Sequence, residues 1–163
     1  MQLYILDREP GRAAGFLADV HVRKMCLETV QIISSVIHNR HLPPVPGMFK
    51  PYNPAHPVIR AVDSAEKLNW VLVYNWNLQC EYLWRFQKPH ACFELSVRCF
   101  DILWHPERGM NCDGLARSFK EFSSGEPDLV AAFREYYRFK KSRIRQWNYT
   151  RRCEPEWLSS AQE

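Results

Sequence analysis

Residues 10–39 read PGRAAGFLADVHVRKMCLETVQIISSVIHN. Pro10 suits the first turn of a helix, where its missing N–H has no intrahelical partner to lose. From there apolar residues recur at helical spacing to about Asn39, with Phe16, Val20, Leu27, Val30, Ile33 and Ile37 among the expected core positions. On a helical wheel of about 100° per residue, Leu17, His21, Lys24, Glu28 and Ser35 fall within about 60° of one another, with Gln31 just beside them. Asp19 and Arg23 lie on a different side, where contact with solvent is expected. The helix therefore has two polar sides, and an amphipathic surface helix needs only one. The second side implies a wet pocket or a buried polar network.

The rest of the chain supports a mainly α, single-domain helical bundle with a short extended N-terminal arm. A length of 163 residues fits one domain able to bury a real core without staples. Residues 1–150 are expected to form the helical domain and 151–163 a polar C-terminal tail. Gln2 to Leu6 form the apolar arm. Six prolines between positions 40 and 57 exclude helix there and predict a long loop. Asp63 with Glu66 reads as an N-cap and N3 pair opening a helix over 64–87, which Pro89 ends. Further helices are expected near 91–104, briefly near 115–122, and from Pro127 to about Trp147.

Charge is unevenly placed. The eight cations Arg134, Arg138, Lys140, Lys141, Arg143, Arg145, Arg151 and Arg152 face one acid, Glu135, so residues 134–152 carry +7 and the remainder −3. On the last helix Tyr136, Lys140, Arg143 and Trp147 share a face. Cations interleaved with aromatics suit a phosphate backbone with unstacked bases, which makes nucleic acid one expected partner. They also suit the acidic surface of a partner protein. On helix 64–87, Tyr74, Asn77, Glu81 and Arg85 share a face that could meet the first stripe across a cleft, and Lys88 would extend it. Trp70, Trp76, Trp84 and Phe86 on that helix read as core.

Several function classes find no support. No glycine-rich phosphate loop, nucleophile elbow, HExxH or paired CxxC occurs, so neither a cofactor nor a metal site is expected. His38 and His41 stand i,i+3, and His56 and His90 lie apart. No long apolar run predicts a membrane span. The N-terminus meets Asp7 too early for a signal peptide. Cys26, Cys80 and Cys99 sit inside apolar helical patterns, which favours reduced thiols and a cytoplasmic setting.

The stripe His21–Lys24–Glu28 carries the chemistry. An amine attacks an electrophilic carbon once its proton is lost, and a nearby carboxylate stabilises positive charge or moves a proton. The plain alternative is a surface ion pair beside a satisfied histidine. The string Ala18-Asp19-Val20-His21, with Glu28 seven residues after the histidine, resembles the first helix of phage pyrimidine-dimer DNA glycosylases of the endonuclease V type. Those small, basic, all-helical enzymes carry Ala-Asp-x-His and then a glutamate. The resemblance implies that Glu28 is the catalytic carboxylate and that His21 contributes to the site. Asp19 matches the family aspartate.

Tyr52-Asn53-Pro54-Ala55-His56-Pro57 is similar to an Asn-His-Pro string of bacterial relatives, which places His56 among the candidate substrate contacts. The whole chain also resembles small phage proteins with a Leu-Asp start, a His-Val-x-Lys-Met helix, a His-Pro loop and a Pro-Glu-Trp ending. The family's nucleophile is the α-amino group of a small residue exposed after Met removal. Here Gln2 would leave Met1 in place, and the arm before Asp19 is longer, so that nucleophile does not carry over. Lys24, one turn from Glu28, is the substitute by chemistry.

The expected function is a DNA-glycosylase/lyase-type enzyme in which an amine attacks C1′ with help from a carboxylate. Its catalytic residues would be Glu28, His21 and Lys24. Asp19, His56, Glu81, Arg85, Tyr136, Lys140, Arg143 and Trp147 would bind substrate. The alternative is a non-enzymatic nucleic-acid- or protein-binding accessory protein of a phage or bacterium.

Overall fold

A computed structural model describes residues 1–159. The described residues are mainly helical, without strands: α1 (Pro10–Gly15), α2 (Asp19–Asn39), α3 (Pro57–Ala61), α4 (Ala65–Phe86), α5 (Phe93–Leu103), α6 (Leu129–Lys141) and α7 (Glu156–Ser159), with a 3₁₀ turn at Pro106–Arg108. None of these helices is long and apolar enough to cross a membrane.

The centre is the antiparallel pair α2 and α4. Asp19 at the start of α2 pairs with Arg85 near the end of α4, while Cys26 Sγ donates to Leu78 O at 3.4 Å midway. Met25, Val30, Ile33, Trp70, Val71 and Leu78 fill the seam. The N-terminal arm is extended and sunk into this core: Leu3, Tyr4, Ile5 and Leu6 are all buried. Burying side chains of this size typically contributes about 1.5–3 kcal/mol each, which holds a segment lacking secondary structure of its own.

The expected helix over 10–39 is two helices. α1 ends at Gly15, and Ala18 caps α2 with extended backbone and no side-chain acceptor. The carbonyls freed at the break have a partner from elsewhere in the chain. Arg85 Nη2 donates to Gly15 O at 3.0 Å and Nη1 to Leu17 O at 2.6 Å. Sequence periodicity continues smoothly through the break because the kink depends on a side chain 68 residues away.

Other boundaries move for local reasons. Ser64, not Asp63, caps α4, accepting from Lys67 N, while Asp63 pairs with Lys67 Nζ at 2.9 Å. No helix forms at 115–122, where the chain wraps Leu115, Phe119 and Phe122 onto the core instead. α6 stops at Lys141, well short of Trp147. The proline-rich loop is ordered by α2: Ser34 Oγ accepts from Phe49 N and Ser35 Oγ from Tyr52 N. Residues 151–159, expected as a polar tail, pack back through Pro155, Trp157 and Leu158. Residues 160–163 of that tail lie outside the described residues.

Candidate functional site

The second polar side of α2 is a buried polar network, open at Lys24. His21 is buried under the rings of Tyr4, Tyr137 and Trp147, at centroid distances of 4.8, 5.1 and 5.2 Å. Ala18 N donates to Tyr137 Oη at 2.8 Å, and the same hydroxyl shares a hydrogen bond with His21 Nδ1, 3.0 Å away. The cover keeps His21 neutral. Burial, with the charges of Lys24 and Lys140, lowers its pKa from 6.5 to about 3.

The sign of the pH effect follows. Unfolding lets His21 take up a proton below its ordinary value of 6.5, and the folded chain resists until about 3. Its contribution to stability is therefore full above pH 6.5 and lost as pH falls through that window, by up to about 1.4 kcal/mol per pH unit. Urea melts from pH 7.5 to about pH 5 should show this slope in wild type and a flatter one in His21→Gln. A ring that titrates near 6.5 by NMR would contradict the assignment.

Glu28 lies about two turns along. Its Oε1 is 3.2 Å from Lys24 Nζ, and its side chain is 18% exposed against 48% for the lysine. Oε2 is fully buried with no hydrogen-bond partner, and so are Tyr74 Oη and Gln2 Nε2. Glu28 Oε2 is the one carboxylate oxygen among the buried side-chain atoms without a protein partner in the described residues. The Glu28 charge bears on Tyr4, Tyr74 and His56, pushing both tyrosines well above their ordinary range alongside burial, the main cause.

His56 caps α3: its Nδ1 accepts from Val58 N at 3.2 Å, so the neutral ring carries its proton on Nε2. Burial lowers its pKa, as do the positive charges of the residue-1 amino group and Lys120, while Glu28 acts the other way. Of the four groups the sequence singled out, Lys24 and Glu28 are in contact, the Glu28 charge also acts on His56, and His21 is packed apart under its aromatic cover. The sequence pattern contained His21, Lys24, Glu28 and His56. It gave no sign of Tyr4 or Tyr137, because an extended arm and an unrelated helix deliver them.

The second expected stripe does something else. Arg85 has no exposed side-chain surface. It donates to Glu81 Oε2 at 3.0 Å, to Asp19 Oδ1 at 3.2 Å and to the α1 carbonyls. Asp19, expected on the solvent side, is buried and accepts from Thr150 N and Oγ1. Glu81 also pairs with Arg152. Arg85, Asp19 and Glu81 therefore tie α1, α2, α4 and the 148–152 segment together; Arg85 is wholly buried, while Glu81 lines a cleft of about 740 Å³ with Glu9, Arg12, Asn77 and Arg152, and Asp19 lines another beside Lys24. Only Tyr74 at the far end of that α4 face reaches toward Glu28.

The C-terminal basic face also departs from expectation. Tyr136 is buried, stacked on Phe119 at 4.6 Å, and Trp147 lies beyond the helix, folded onto His21 and Tyr137. Arg143 pairs with Glu121 at 2.8 Å and lies over Phe139, Lys141 pairs with Glu154, and Arg138 donates to Trp157 O. Arg134 donates to Leu6 O, Arg151 to Trp84 O. Only Lys140 and Arg145 of the eight lack a hydrogen-bond or ion-pair partner among the described residues. α6 ends before Arg143 and Trp147, so the face they would have shared with Tyr136 does not form: Tyr136 and Trp147 pack into the fold, and Arg143 stays half exposed beside Glu121.

Among the described residues no three histidine, cysteine or carboxylate side chains are grouped to hold a metal ion. All six cysteines are free thiols. Comparison with known protein families, curated sequences and solved structures returns no match.

Proposed function

We propose that this protein is a nucleic-acid-acting enzyme of the DNA-glycosylase/lyase type, working in a reducing cytoplasm, with Glu28 as its catalytic carboxylate. The observation that carries the reading is the Glu28 side chain itself. One oxygen is buried and unpartnered, the other is 3.2 Å from an amine, and two pinned neutral histidines stand on the same helix side and loop.

The chemistry requires a neutral amine at C1′ of a nucleotide drawn out of the stack. At an abasic site the nitrogen adds to the C1′ aldehyde. The resulting carbinolamine loses its hydroxyl as water, and an imine remains. Glu28 takes the proton released by the nitrogen and returns one to the departing hydroxyl, so no proton is left over. Lys24 is one candidate amine. The other is the amino group of residue 1, whose charge acts on His56. In that case Lys24 serves to hold the Glu28 charge in place.

His21 acts here by position, fixing Tyr4, Tyr137 and the start of α2, and not as an acid or base. The test is incision of a duplex carrying one abasic site. Strand cleavage at that site is expected. A protein that binds the duplex but leaves it uncut under conditions where a bifunctional glycosylase cuts is the non-enzymatic accessory protein instead.

A further inference from the structure

Val20 and Leu27 were expected in the core, yet they are 40% and 38% exposed. Between them stands Arg23, also exposed, one turn from each. This third side of α2 is not covered, and it continues onto the end of α4. Two clefts share Arg23 as a wall. One, of about 640 Å³, is lined further by Val20, Lys24, Ile144, Gln146 and Asn148, with Asp19 at its base. The other, of about 430 Å³, is lined by Tyr82, Phe86 and Lys88.

The side chains in this groove are arranged for an anion with flat apolar parts. The Arg23 guanidinium lies over the Phe86 ring at 4.5 Å, and the Tyr82 ring meets Phe86 edge-on at 4.8 Å. Stacking fixes the guanidinium plane and leaves its N–H edge for phosphate oxygens. Neither Arg23 nor Lys88 makes an ion pair among the described residues. The one carboxylate in the groove, Asp19, already accepts from Arg85 and Thr150. Gln146 and Asn148 are exposed, and their side-chain amides make no hydrogen bond among the described residues. Beyond the groove, Trp84 is 55% exposed with Arg151 over its ring.

We propose that this groove, centred on Arg23 between α2 and the end of α4, holds a strand of nucleic acid. Arg23, Lys24 and Lys88 take the phosphates, Phe86 and Tyr82 stack a base, and the Gln146 and Asn148 amides meet base edges. It moves the polyanion contact from the C-terminal basic segment, whose cations are mostly paired, to a face where Arg23 and Lys88 make no ion pair among the described residues and only Lys24 does, with Glu28. Lys24 belongs to both places, so a strand in the groove runs up to Glu28. The surface rests on the nucleic-acid reading above, but not on its chemistry.

The test is fluorescence anisotropy with a labelled single-stranded oligonucleotide of about 12 nucleotides, from about 50 to about 200 mM salt. Arg23→Gln and Lys88→Gln should each weaken binding at least about fivefold and flatten the log–log salt slope by about 0.7. Phe86→Leu should weaken binding with the slope unchanged. Both cations are exposed, so folding is not at issue, and circular dichroism checks it. A combined Lys140→Gln, Arg145→Gln variant should stay within about twofold of wild type.

The surface is overturned if Arg23→Gln and Lys88→Gln bind as wild type, if the loss falls on the Lys140/Arg145 variant, or if wild type binds no strand. Equal competition by polyglutamate would make the groove an acidic-protein site and would also overturn it. Glu28→Gln should bind at least as tightly as wild type, since it frees Lys24. Arg23-dependent binding without any turnover sinks the chemistry and keeps the surface. Turnover with binding indifferent to Arg23 and Lys88 does the reverse.

Discussion

Glu28→Gln leaves the protein folded and lowers turnover on abasic DNA by about 10²–10⁴-fold, the range for losing one general acid–base group. The substitution keeps shape and volume. It removes the charge that pairs with Lys24 at 3.2 Å and the buried oxygen that has no partner. Because Lys24 is half exposed, losing the ion pair costs only about 0–1 kcal/mol of stability. Affinity for DNA should hold or rise slightly, since a negative charge leaves a cationic surrounding. Single-turnover rates and anisotropy on the same preparation separate these outcomes. A variant that cuts at the wild-type rate would leave Glu28 as a structural carboxylate.

Arg85→Met should be the most destabilising single change among the residues discussed, by about 3–5 kcal/mol, the range for breaking a buried ion pair. Methionine fills most of the volume but donates nothing. Asp19 and Glu81 would remain buried with one partner fewer, and the carbonyls of Gly15 and Leu17 at the α1–α2 break would lose theirs. At roughly 2–4 °C per kcal/mol for a chain of this size, the melting temperature should fall by about 10 °C or more. Glu81→Gln should cost less, because it retains an acceptor for Arg85. A melting temperature within a few degrees of wild type would show that the α1–α2 break is held by packing alone. It would also reopen Arg85 as a group free to meet a ligand.

The sequence makes the helical class legible because periodicity, prolines and caps are local signals: α4 and α5 lie within two residues of their expected limits. What it hides is set by distant partners. The break at 16–18 depends on Arg85, and the cover over His21 depends on Tyr4, Tyr137 and Trp147. The wheel separated Asp19 from His21 correctly by angle. It then assigned Asp19 to solvent, because a wheel does not see the 148–152 segment that closes over it. Val20 and Leu27 show the converse: apolar residues at core spacing that no element covers. The basic segment is not one helix face for the same reason: α6 ends at Lys141, and the carboxylates that pair with Arg143 and Lys141, Glu121 and Glu154, come from loops.

The most direct measurement of the central claim is reduction with sodium borohydride of a mixture of this protein and an abasic duplex, followed by peptide mapping of the adduct. An imine joins enzyme and C1′ only if an amine attacks there, and reduction makes that bond permanent. The expected result is a covalent adduct on Lys24 or on the amino group of residue 1, reduced in yield by Glu28→Gln and absent without borohydride. Repeated failure to trap any adduct, under conditions where a bifunctional glycosylase traps, would contradict amine attack at C1′.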